Sequence, residues 1–185
     1  MSEDFIKQKI IETLFNTFSP IKVLLDVNKI PKSFWEDDYL FGLFSVFITT
    51  EITIGFSILS KFDNFNEILF DIIKKIDPDN FEFILSKMAY TAQNQIGELK
   101  LGGDVAELIL YLKYNENKKL FPNVKENNED ILDAKSNKNI VREVMNLSKI
   151  KFGSIDEIND NAMAAFYLFD LKVLGYMRKK YDIVS

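Results

Sequence analysis

The stretch "ITTEITIGFSI", residues 48–58, decides the fold. It lies inside a run of 22 residues, Tyr39 to Ser60, in which Glu51 is the only charged side chain. The run has the length of a bilayer span, the alternation of a β-strand and the bulk of a buried helix. As a span it is marginal. Its twelve Leu, Ile, Phe and Val residues between Leu40 and Leu59 favour insertion by roughly 4–7 kcal/mol, against ~3 kcal/mol for a central acid, and seven Gly, Ser and Thr residues erode the remainder. Asp37 and Asp38 stand on one flank where a basic cytoplasmic flank would be expected. The reading is therefore no membrane span.

The strand reading rests on Ile52, Ile54, Phe56 and Ile58 alternating with Thr53, Gly55 and Ser57. A strand needs partners, and the only segments on offer are "IKVLLDV" (21–27), "GELKL" (97–101) and "KIKF" (149–152). At 100° per residue, by contrast, Gly42, Ser45, Thr49, Thr53, Ser57 and Ser60 form one small-residue stripe along which a neighbouring helix can approach closely, and the rest of the circumference is apolar. The run is read as the central helix of an all-α, single-domain multi-helix bundle spanning residues 1–185, with that helix over about residues 38–60. The alternative is an α+β fold with a small sheet.

Working outward, Ser2 is placed to cap a first helix to about Thr17, with Ile6, Ile10 and Leu14 on one stripe and Ile11, Phe15 and Phe18 beside it. Ser19-Pro20 reads as a cap and first position of a further element, Asn28 to Pro31 as a turn, and Ser33 with Glu36 as a capping box. Asn64 with Glu67 repeats the box ahead of the cleanest amphipathic stripe, Phe65, Ile68, Leu69, Ile72, Ile73 and Ile76. Asp77-Pro78 ends that helix, and Phe81, Leu85, Met88, Ala92 and Ile96 predict the next. Gly102-Gly103 reads as a break, followed by an Asp104/Glu107 cap and a helix to about Tyr114 using Val105, Leu108, Ile109 and Leu112. Residues 115–139 read as a polar, partly ordered connection. Ile140, Val141, Val144, Met145 and Leu147 restore helical spacing, and a Ser154/Glu157 cap opens a last helix to about Lys180, whose Arg178, Lys179 and Lys180 oppose the helix dipole.

Composition narrows the chemistry. The 185 residues contain no Cys and no His, which removes disulfides, zinc–thiolate sites, imidazole ligands, and the commonest nucleophile and base. No metal, cofactor or catalytic residue is assigned, and an enzyme is disfavoured. The net charge of −5 argues against nucleic acid, because phosphate neutralisation needs clustered Lys and Arg. It suits a basic protein partner instead. Acids in "MSEDFIKQKIIE" replace the basic segment of a signal peptide, so a cytoplasmic chain is expected.

Two carboxylates stand out. At helical spacing Glu51 sits among Phe44, Phe47, Ile48, Ile54 and Ile58, and Asp170 among Met163, Phe166, Leu174 and Met177. A buried carboxylate needs a hydrogen-bonding or charged partner, and a structural network is the ordinary way to supply one. The leading functional reading is an acidic soluble helical protein of the inhibitor, immunity or adaptor type, acting through protein–protein contact. The alternative is a small apolar ligand held between helices, with Glu51, Asp170, Tyr90, Gln93 and Asn94 as polar anchors.

Overall fold

The computed structural model describes residues 3–25, 30–57, 65–94, 96–114, 119–147 and 160–182. The chain is all-α: among the described residues every extended regular element is helical, and none is a strand. The residues group into two compact units, Met1–Asp104 and Val105–Ser185.

In the first unit the apolar run forms one helix, α3 (Asp38–Ser57), preceded by α1 (Glu3–Leu25) and the single turn α2 (Lys32–Glu36). α4 (Phe65–Ile76) and α5 (Phe81–Thr91) follow, then the start of α6 (Gly97–Lys113). α3 packs against α1, α2 and α4, and buries Leu40, Phe41, Leu43, Phe44, Phe47, Ile48 and Ile52. Its stripe of small residues serves as expected. A Cβ built on Gly42 would lie 2.0 Å from the Leu99 carbonyl oxygen, and one on Gly102 would lie 1.9 Å from that of Tyr39. The two backbones are therefore in direct contact, with glycine facing glycine's neighbours on each side. Along the same stripe the Ser45, Thr49 and Thr53 hydroxyls donate back to the carbonyls of Gly42, Ser45 and Thr49. Each hydroxyl is thereby satisfied without reaching across the interface.

This crossing corrects the reading of Gly102-Gly103 as a break. Both lie inside α6, which begins at Gly97 rather than Asp104, and their small size is used for close approach rather than for chain reversal. α1 likewise runs through Pro20 instead of ending at about Thr17 with a further element starting at Ser19-Pro20. An interior Pro costs roughly 3 kcal/mol, but the fully buried Ile21 beyond it returns about 1.5–3 kcal/mol of the kind expected from core burial. The Ser33 capping box is not formed: α2 starts from Pro31, with no side-chain cap bond. Asp37 caps instead. Buried and extended at φ −69°, ψ 120°, it accepts the Leu40 N–H at 2.8 Å, which is the geometry of an N-cap onto the third residue of α3. In α4, Ile68, Ile72 and Ile73 are buried as predicted. In α5 the buried stripe is Ile84, Met88 and Thr91, which shares only Met88 with the predicted one, and the helix ends at Thr91, so that Ala92 and Ile96 lie beyond it and are exposed.

The second unit contains the rest of α6, α7 (Glu129–Leu147) and α8 (Asp160–Phe169). A π-helical turn, Asp170–Leu174, then leads into α9 (Gly175–Lys180). Val105, Leu108, Ile109 and Leu112 are buried as expected, and Tyr111 meets Phe121 edge-on with ring centroids 6.4 Å apart. The polar connection is shorter than predicted, because α7 begins at Glu129. Asn128 caps it, its Oδ1 accepting the Asp130 and Ile131 N–H groups at 2.9 and 3.4 Å, and Ile131 and Ala134 are fully buried. Ile140, predicted on the apolar face, is half exposed.

α7 and α8 pack as an antiparallel pair. Asp130 meets Lys172 at 2.7 Å, Asp133 accepts from the Tyr167 hydroxyl, and Lys138 and Arg142 both reach Asp160, so partners fall on one helix as they rise on the other. In the π turn the Gly175 N–H reaches back to the Asp170 carbonyl. The extra residue in this turn swings Val173 and Met177 onto the side where Ala165 and Phe169 are buried. The expected caps at Ser2, Asn64 and Ser154/Glu157, the turn at Asn28, the helix end at Ser60 and the segment "KIKF" lie outside the described residues.

Candidate functional site

The most exposed large apolar groups among the described residues lie around the connection from α5 into α6: Tyr90 in the last turn of α5, Ile96 in the connection and Leu101 in α6. Ile96 is 76% exposed, Tyr90 67% and Leu101 51%. The turn is internally hydrogen-bonded. Gln93 N–H donates to the Tyr90 carbonyl at 3.2 Å, Asn94 N–H to Thr91 at 3.1 Å and Ile96 N–H to Asn94 at 3.1 Å, while the Asn94 side-chain amide returns to the Tyr90 carbonyl at 3.0 Å. The chain then enters α6 through Gly97, whose φ of +55° is a conformation that glycine adopts without steric cost. Because the Gln93, Asn94 and Ile96 N–H groups are satisfied locally, Tyr90 and Ile96 are presented on hydrogen-bonded chain. Lys100 pairs with Asp104 on the exposed side of α6, and Glu98 is exposed beside them.

Three of the five predicted site residues, Tyr90, Gln93 and Asn94, therefore come together, but on the surface: Tyr90 and Gln93 are exposed and Asn94 is half-buried. That corrects their placement in an apolar interior. Glu51 is buried in α3, at 5% exposure, as its spacing predicts. Asp170 is not. It is exposed at the start of the π turn and paired with Arg178 at 2.9 Å. The helical spacing that put it among Met163, Phe166, Leu174 and Met177 fails on both sides: Phe166, one turn earlier in α8, is itself exposed, and the π turn that starts at Asp170 breaks the register with Leu174 and Met177.

A second polar cluster ties α2 into the first unit. Trp35, buried, donates its indole N–H to the buried Asp77 carboxylate at 2.7 Å. Asn80 donates its side-chain amide to the same oxygen at 3.0 Å. The Lys87 ammonium donates to the Trp35 and Glu36 carbonyls at 3.0 and 2.9 Å, pairs with Asp38 at 2.9 Å, and stands 4.6 Å from the centre of the Phe41 ring. Lys87 thereby satisfies carbonyls at the end of a one-turn helix, and its donors are consumed in doing so. The cluster is structural. Its signal in the sequence was the single Trp, which needs an acceptor for its N–H once buried.

In the second unit, burial and the adjoining Asp133 carboxylate push the Tyr167 phenol above its ordinary range. The hydrogen bond from Lys138 holds the Asp160 carboxyl below its own. Both sit in the α7–α8 seam, where they fasten helices. Among the described residues no group of three acidic, His or Cys side chains is placed to hold a metal ion. Over Asp38–Gly55, α3 has the length and apolarity of a membrane span, and 56% of that stretch is buried inside the structure. Comparison with protein-family models, with curated proteins and with solved structures finds no match to this chain.

Proposed function

We propose that this is an acidic, cytoplasmic helical binding protein that acts by contact with another protein, and that the α5–α6 turn belongs to its contact surface. The exposure of Ile96 in a connection with local hydrogen bonds, and of Tyr90 and Leu101 on the helices that flank it, carries the reading. Apolar side chains presented on a preformed loop lose little conformational freedom on binding, and Tyr is among the residues that most often dominate an interface. The net charge of −5 favours a partner with a basic rim, since complementary charge speeds encounter.

The test is capture from the source cell, followed by native mass spectrometry, with wild type beside a Tyr90→Ser/Ile96→Ser double variant. Neither side chain is buried, so the variant is expected to keep the helix content and unfolding midpoint of the wild type. Its affinity for the captured protein should fall about 30-fold, the loss of roughly 2 kcal/mol typical of a hot-spot truncation. Equal affinity of both forms for the same partner removes the turn from the interface. A small apolar molecule retained equally by both forms, without a protein, replaces this reading with the ligand-binding one.

A further inference from the structure

We draw no further inference here: the strongest candidate, the exposed apolar turn between α5 and α6, belongs to the site already described, and nothing in the structure shows what covers it.

Discussion

Replacing Gly102 by Ala should destabilise the protein, although alanine is the better helix former. On an exposed helix the substitution gains up to about 1 kcal/mol. At the α3–α6 crossing the new methyl would stand 1.9 Å from the Tyr39 carbonyl oxygen and 2.9 Å from the Leu43 nitrogen. A relaxed carbon–oxygen contact is about 3.3 Å, so the helices must separate locally by roughly 1.4 Å. Both close neighbours are backbone atoms of α3, which cannot turn aside as a side chain would. Separation on that scale loosens the packing of Tyr39 and Leu43, both buried. Overpacking costs about 1–3 kcal/mol, and a cost near the top of that range, as contact with unyielding backbone implies, leaves a net loss of about 2 kcal/mol after the propensity gain. That is a large part of a typical stability of about 5–15 kcal/mol. Urea unfolding followed by the fluorescence of Trp35 and by far-ultraviolet circular dichroism measures it. Gly103→Ala is the internal control: its methyl would stand 3.3 Å from the Val46 Cγ2 and 3.9 Å, an ordinary contact distance, from the Gly42 carbonyl oxygen, so that variant should stay within about 1 kcal/mol of wild type. A Gly102→Ala protein as stable as wild type, or more so, refutes the crossing.

Asp77→Ala should cost about 1–3 kcal/mol, because it removes the carboxylate that accepts the buried Trp35 indole N–H. The shift in Trp35 emission reports that change directly. Asp170→Asn should change stability by no more than about 1 kcal/mol, since only an exposed pair with Arg178 is lost. A larger loss in thermal unfolding would return Asp170 to the core. The Asp160 carboxyl, held below its ordinary value by Lys138, contributes stability that is complete above the unfolded value of about 3.9 and is lost as pH falls through the lower folded value. The protection of α7 and α8 amides, taken relative to their unstructured exchange rates at each pH, should therefore fall on acidification below about pH 4. Asp160→Asn should remove that part of the acid response, and an unchanged pH profile would count against the seam.

The fold was legible wherever a pattern closed on itself within one helix. The stripe of α4 and the apolar run of α3 needed only local spacing to be read, and Ile68, Ile72 and Ile52 are buried accordingly. What stayed illegible depended on distant partners. Gly102-Gly103 has the appearance of punctuation unless its contact with Tyr39 and Leu43, some sixty residues earlier, is known. Asp77 reads as a helix stop, and only the fold brings Trp35 to it. Caps were missed for a different reason. Ser33 and Asp37 are both acceptable cap residues, and burial of Phe34 and Trp35 on one short turn leaves Asp37 as the residue that turns the chain. At the candidate site, Tyr90, Gln93 and Asn94 were legible as a group but assigned to the wrong side of the surface. Ile96 had been given to the core by a helical period that ends at Thr91. The Gly97 that follows was the signal that the period had stopped.

The π turn makes the length of the last helical stretch negotiable. Ala165, Phe169, Val173 and Met177 are buried at strict four-residue steps, and each such step drifts by about 40° around an α-helix. Three steps drift about 120°, and one surplus residue rewinds about 100° of it. Arg178 reaches Asp170 across eight residues for the same reason, where an unbroken α-helix would pair positions seven apart. Removal of one residue at the exposed Leu171 would thus leave an ordinary α-helix with its buried side and its ion pair still aligned. Within this segment the chain can grow or shrink by one residue between two helical states that bury the same side chains, a latitude that no point substitution in the packed stripe enjoys.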